Sequence, residues 1–512
     1  MRGVKDIYPL SPMQRGMLFH ALYAPGEGSY VEQVSYRLEG ELDQAAFVEA
    51  WKVVLSHHDV LRTAFLWEGL DAPVQVVRTT AAPSYVFQDW QGETEDRLQR
   101  HLADFLSHDR RRSFDLACAP LTRFMLARTG PRTHYLVWTF HHLVLDGWSI
   151  PLVLRDLFTA YSALCTGAAP VLPRARPFSD YIAWLQEQPE HEAMAFWAEN
   201  FNGYAATATT VPMPGTPAPA ADGEEYAETS FRIPAAATSQ LETFARQQQL
   251  TLNTLLLGAW SLLLGRYTDS EDVVVGSTVS GRSPNLQGGG AMVGMFVNTL
   301  PVRSRMDANR PVADWLRQLQ KQLLDAREYE HCPLVQIQAW GGVPRGAALF
   351  DSIIAFQNQP ISEVLGHLES AVRVLPLVDR HTRTAYPLTL MIEPGESMSV
   401  TVVYDTRRFG KDDLTRISGH LQTMLSSIAS DPQRPLGELQ MITAAEREAQ
   451  LRSRAGPALA VPAIAGLMHQ LFEAQAAARP QAVVLVEGTQ VLRYGELNAQ
   501  ANRLAHYLIG QG

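Results

Sequence analysis

The segment Leu252–Leu264 is apolar nearly all round a helical wheel, and a few residues later Val273–Val279 reads as a buried strand, β-branched except at Gly276 and Ser277. A helix without a polar face has to be buried. An uncharged strand so rich in β-branched residues is expected to have both faces covered. Together they require a layered α/β architecture with helices packed on a sheet. The first 175 residues repeat that mixture. Ser11-Pro12 supplies an N-cap and an N1 proline for a helix that places Met13, Met17, Leu18 and Leu22 on one face. Phe47, Trp51, Val54 and Leu55 mark a second amphipathic helix, and Ile150–Cys165 a third. Val74–Val77 and Tyr135–Phe140 read as strands. Later elements are predicted as helices over 239–248, 311–327 and 412–429 and as strands over 351–357 and 398–404. The segment Phe178–Asn200, with Trp184 and Trp197, reads as helical and core-forming. The order of elements gives two α/β lobes of similar size, without a short-period repeat.

Composition narrows the classes. With 43 Lys plus Arg against 53 Asp plus Glu, the net charge of −10 lacks the basic surplus of a nucleic-acid binder. No apolar run approaches a membrane span, and Met1–Gln14 lacks the pattern of a signal peptide. The three cysteines, Cys118, Cys165 and Cys332, are far apart and form no CxxC pair. They are expected as small buried hydrophobes in a reducing, cytoplasmic setting. No HExxH or clustered Cys/His set implies a metal, and neither a GxSxG elbow nor a Walker loop is present. The Ala/Pro-rich stretches 205–225 and 451–466 read as irregular connections.

The chemistry concentrates at His141-His142-Leu143-Val144-Leu145-Asp146-Gly147. A chance HHxxxDG in a chain of this composition has odds on the order of one in a thousand. The strand Tyr135–Phe140 delivers both histidines, and successive strand residues point to opposite faces. One imidazole can therefore face a core while its neighbour faces a cavity, where a group titrating near neutrality handles protons. Asp146 lies across the turn, positioned to accept hydrogen bonds or to pair with an arginine. Gly147 permits close backbone approach.

FHHLVLDGWS, 140–149, resembles the signature of condensation domains of nonribosomal peptide synthetases, within the chloramphenicol acetyltransferase-like superfamily. The resemblance extends in order along the chain. SPMQRGMLFH (11–20), HDVLRTAF (58–65), FSDYIAWLQ (178–186), MVGMFVNTLPVR (292–303), HCPLVQIQ (331–338) and TAYPLTL (384–390) resemble further motifs of that family. From 471 onward, Leu471-Phe472-Glu473, Ala478-Arg479-Pro480 and LRYGELN (492–498) are similar to the opening of an adenylation domain, cut short.

The resemblance implies an α/β fold of two chloramphenicol acetyltransferase-like lobes in a V shape around a central tunnel, plus a short αβα fragment. It assigns 1–177 to the N-terminal lobe, 178–450 to the C-terminal lobe, 451–466 to a linker and 467–512 to the truncated adenylation start. It implies an acyltransferase that joins a donor aminoacyl or peptidyl thioester to the α-amine of an acceptor aminoacyl thioester. Both would be tethered to 4′-phosphopantetheine arms of upstream and downstream peptidyl carrier proteins, with an adenylation domain adjacent. No directly bound cofactor, metal, nucleic acid or membrane is implied. The motif forms resemble the subtype joining an L-donor to an L-acceptor. His142 is the implied catalytic residue, with Gly147 presenting its N–H to the developing oxyanion. His141 is structural, and Asp146 is expected to pair with Arg62. Asn298, Thr299, Ser352, Thr384, Tyr386 and Trp148 are the tunnel-lining candidates. Two other readings are an acyltransferase acting on free acyl-CoA, and a noncatalytic platform that recruits partners. The adenylation-like start weighs against the first and the intact histidine motif against the second.

Overall fold

The structure, a computed structural model, describes residues 3–23, 30–205, 226–344, 348–357, 372–381, 386–454 and 467–511 of the 512-residue chain. It divides into two compact units, Met1–Thr443 and Ala444–Gly512.

The first unit holds two large sheets. One has five strands in the order Arg373–His381, Val31–Glu39, Thr133–His141, Thr122–Gly130 and Ser84–Asp89. Its pairs are antiparallel except the last, which is parallel. Thr133–His141 is the central strand and is buried along nearly its whole length, because both faces are covered. Leu136, Trp138 and Phe140 pack under the helices Gln44–His57 and Ser149–Cys165, with Trp51 edge-on to Trp138 at 5.5 Å. Tyr135 and Val137 face the opposite way, onto Leu98 and Leu102 of the helix Glu95–Arg110. The alternation expected of a strand therefore holds although neither face is polar.

The other sheet has six strands in the order Asn298–Arg305, Asp272–Val279, Ser352–Phe356, Leu388–Glu393, Met398–Asp405 and Tyr226–Ile233. The all-apolar helix of the sequence is Leu252–Thr268, buried at every position from Thr254 to Gly265. It packs on one face of this sheet with Ala235–Gln247, Val312–Ala326 and Lys411–Ser430. The chain does not partition the two halves with a single cut. Strand Arg373–His381 crosses back to pair with Val31–Glu39, and Phe178, Tyr181 and Ile182 of helix Phe178–Gln186 join the first core. The next helix, Glu190–Phe201, sends Trp197 to a separate cluster under the second sheet.

Several expectations change. In helix Pro12–Tyr23 the buried positions are Gln14, Met17 and Leu18, whereas Leu22 is exposed. Gln14 is buried because the helix start is a reciprocal cap: Gln14 N–H donates to Ser11 Oγ (3.2 Å), and Ser11 N–H donates to Gln14 Oε1 (2.9 Å). Cys118 and Cys165 are exposed, and only Cys332 is buried. Cys165 closes its helix and Cys118 lies in a turn, so neither faces a core.

Among the described residues, no helix is long and apolar enough to cross a membrane. In the second unit, helix Ala444–Arg454 continues through 451–454, the first positions of the expected linker; 455–466 lie outside the described residues, as do 206–225. Helix Met468–Ala478, the hairpin Val483–Glu487 with Gln490–Arg493, and helix Tyr494–Ile509 follow. Among the described residues of this unit Ala476 is the one buried hydrophobe, in line with the small core open to so short a segment.

Candidate active site

Strand Thr133–His141 ends at the motif, and the two histidines part company there. His141 is buried against the rings of Tyr30 and Phe114. Its Nδ1 accepts the Leu143 N–H at 3.1 Å. Burial, with the neighbouring His142 charge, pushes its pKa down to about 3, so it is a neutral packing group. His142 is half-buried and lines a cavity of about 360 Å³. Its Nδ1 lies 2.7 Å from the Leu145 carbonyl. A carbonyl can only accept, so Nδ1 carries a proton, and in the neutral imidazole the lone pair is on Nε2. The His142 N–H donates to the carbonyl of Tyr30 at 2.8 Å. Tyr30 has φ +64, a left-handed conformation that a non-glycine residue rarely adopts. It also lines the cavity.

Asp146 is fully buried and saturated. It accepts from the Ser149 N–H (2.8 Å) and O–H (2.7 Å), the Phe296 N–H (3.2 Å), and Arg282 Nη2 at 3.2 and 3.3 Å. Its own N–H donates to the Gly294 carbonyl at 3.1 Å. The expected partner was Arg62, and the structure corrects this. All the donors of Arg62 are spent elsewhere: on the carbonyls of Leu55, Ser56, Arg78 and Thr79 and on Asp59 Oδ1 at 2.6 Å. Leu55 and Ser56 are C-terminal carbonyls of helix Gln44–His57, where a cation is favoured. The true partner, Arg282, comes from the glycine-rich loop after strand Asp272–Val279. Its Nη1 donates to the carbonyls of Gly289 (2.6 Å) and Met292 (2.7 Å), and its guanidinium lies 4.1 Å from the Phe296 ring centre. Gly281 precedes it at φ +64, so near the Phe296 carbonyl that a Cβ there would sit 1.8 Å from its oxygen.

Gly147 and Trp148 line the cavity, as do Asn298, Thr299 and Tyr386. Asn298 is not free to bind a ligand through its amide nitrogen: Nδ2 donates to the carbonyls of Glu330 (2.7 Å) and Cys332 (2.8 Å). Tyr386 stacks on Phe350, and burial raises its pKa. Ser352 is corrected. It is fully buried and accepts the indole N–H of Trp260 at 3.0 Å, whereas Ile353 lines the cavity. Adjacent strand residues face opposite ways, and Ser352 belongs to the core side. Thr384 lies outside the described residues.

Sequence reasoning missed Gln14, His20, Tyr30 and Arg282. Gln14 had a legible signal, the Ser-x-x-Gln capping spacing. Its Nε2 also donates to the Leu143 carbonyl at 2.8 Å, tying the first helix to the histidine turn. Arg282 stood beside Gly281 in the glycine-rich loop, but nothing local announced its partner. Among the described residues, one metal-type donor set occurs, His57, His58 and Asp156. Its atoms are already engaged: His58 Nε2 and Arg155 hold Asp156, and His57 Nε2 meets the Pro173 carbonyl.

A family model described as Condensation domain matches residues 4–451. Over all 512 residues the chain is 41% identical to one linear gramicidin synthase chain of Brevibacillus parabrevis and 42% identical to another. It spans only 6% and 10% of those relatives' lengths. Among solved structures, a four-domain nonribosomal peptide synthetase bound to AMP and glycine superposes with a TM-score of 0.77. That match has 19% identity and covers 99% of this chain and 39% of the other.

Proposed function

The chain belongs to the condensation-domain family, and from that premise we propose that it forms an amide bond between two thioester-held acyl groups within a nonribosomal peptide synthetase. The donor is an aminoacyl or peptidyl thioester, and the acceptor is an aminoacyl thioester with a free α-amine. Both ride on phosphopantetheine arms of carrier proteins, and 467–512 is the start of an adjacent adenylation domain.

The observation that carries the reading is the tautomer of His142. With its proton fixed on Nδ1 by the Leu145 carbonyl, its Nε2 lone pair serves the cavity it lines. The acceptor nitrogen attacks the thioester carbonyl. Nε2 takes the ammonium proton as the C–N bond forms, the C–S bond breaks, and the proton passes to the departing thiolate. The Gly147 N–H stabilises the carbonyl oxygen as it gains charge. A thioester is already activated, so alignment of amine and carbonyl supplies much of the rate.

The test loads one carrier protein with a donor and a second with an acceptor, adds this chain, and follows dipeptidyl-carrier by intact mass. Product from the native protein and loss of at least ~100-fold in His142→Ala are expected. No product from the native chain, or equal product from the variant, would refute the reading.

A further inference from the structure

The floor of the cavity is one face of the six-stranded sheet. Ile353 and Ala355 alternate along one strand, and their register partners Thr389 and Met391 alternate along the next. Ile354, Leu388, Leu390 and Ile392 point the other way, into the helix-covered core. The walls add Met13, Met17 and Met295, so four methionines in all line the space. None of the described residues lining it is Asp, Glu, Lys or Arg.

The nearby charges are not available either. Arg282 is held by Asp146 and by two backbone carbonyls. The basic groups on the lining are His20 and His142. In its neutral form His142 keeps its lone pair on Nε2, which repels a carboxylate. An ammonium that took that lone pair would disable the base. Thr278, Thr299 and Gln357 bring neutral polar groups to the lining, a poor replacement for the hydration of a full charge.

We propose that this cavity selects an uncharged, apolar aminoacyl side chain and rejects carboxylate and ammonium side chains. Four flexible thioethers accommodate apolar shapes of different outline. A charged side chain would leave water for a site whose described lining holds no Asp, Glu, Lys or Arg. Discrimination by charge therefore exceeds discrimination by size, since a missing partner for a polar group costs more than a missing methylene. The proposal rests on the condensation reading above and names the substrate class of that same site.

The test pairs side chains of near-equal size that differ in charge: leucine with aspartate, and norleucine with lysine. Each is offered as an aminoacyl-pantetheine thioester acceptor against N-acetyl-leucyl-pantetheine as donor. The series is then repeated as N-acetylated donors against leucyl-pantetheine. Amide product is quantified by mass. At one position or both, kcat/KM for the apolar member is expected to exceed that for the charged member by ~100-fold or more. In Ala355→Asp the norleucine-to-lysine ratio is expected to fall at least ~10-fold, because the floor then offers lysine a counter-charge. Product from all four at like rates in both positions overturns the selectivity alone. So does a norleucine-to-lysine ratio that Ala355→Asp leaves unchanged. No product from any of the four overturns the condensation reading and this inference with it.

Discussion

Replacing Asp146 by asparagine is the most searching perturbation of the site. The carboxylate accepts from two donors on Ser149, one on Phe296 and one nitrogen of Arg282, all in a fully buried position. An amide of the same shape presents N–H groups to at least one of these donors and leaves the Arg282 guanidinium, also nearly buried, without its counter-charge. Breaking one partner of such a pair costs about 3–5 kcal/mol. At about 2.1 cal/mol/K of unfolding entropy per residue, the unit Met1–Thr443 melts with about 0.9 kcal/mol/K. The expected fall in melting temperature is therefore about 3–5 °C by calorimetry. Arg282→Met on the same background tests the pairing. With the orphaned cation removed, the double variant should lose about 1–3 kcal/mol less than the two single losses together. A melting temperature within about 1 °C of native for Asp146→Asn, or strict additivity in the double variant, would refute the assignment.

Other sites give sharper sign tests. His141 has its pKa held near 3 by burial and by the adjacent His142, against an ordinary 6.5. The unfolded chain takes up that proton first, so stability present above pH 6.5 is lost as pH falls toward 3, by about 2 kcal/mol between pH 6.5 and 5. Urea melts of His141→Gln should show a correspondingly flatter pH dependence; parallel curves would count against a buried neutral imidazole. Arg62→Ala strands four backbone carbonyls and leaves Asp59 with Lys5 as its cation, and should destabilise by about 1–3 kcal/mol. Combined with Asp146→Asn, its effect should be additive within about 0.5 kcal/mol, since the two residues share no contact; coupling above that would restore the pair expected from sequence. Gly294→Ala places a Cβ 2.2 Å from the Phe178 ring, and a loss of about 1–3 kcal/mol is expected, relieved in part by Phe178→Leu.

What the sequence made legible was local. The histidine turn, the helix buried on all sides and the central strand each declare themselves within fewer than twenty residues, where periodicity and capping act. What it hid depends on partners distant along the chain. Arg62 sits in a persuasive motif, yet which acid it meets is decided by the end of helix Gln44–His57, which delivers Leu55 and Ser56 to it. Ser352 and Ile353 illustrate a second limit. A strand covered on both faces carries no polar alternation, so its sequence does not say which residue faces the cavity. The crossover of Arg373–His381 into the first sheet was hidden for the same reason: strand pairing at that separation leaves no periodic trace.

The corrected pairing also changes how the His142 imidazole is understood to be held. The carbonyl that fixes the His142 tautomer belongs to Leu145, and the next residue is Asp146, whose N–H and carboxylate are both bound by the segment Gly294–Phe296. Arg282, from the loop preceding that segment, closes the same node. The orientation of Nε2 is thus set by contacts between elements more than 130 residues apart. Had Arg62 been the partner, the charge pair would have lain within the first 150 residues, leaving the Gly294 and Phe296 backbone contacts as Asp146's links to the later segment. As it stands, a shift of the loop that carries Arg282 would be passed through Asp146 to the Leu145 carbonyl and the His142 ring. Catalytic geometry of this kind tolerates displacements of only about 0.5 Å. The cavity floor supplied by the second sheet and the His142 ring at the end of the first sheet's central strand are therefore joined through one buried node, the Asp146–Arg282 pair with the Gly294 and Phe296 backbone, which couples the ring's orientation to how the two halves of the unit pack.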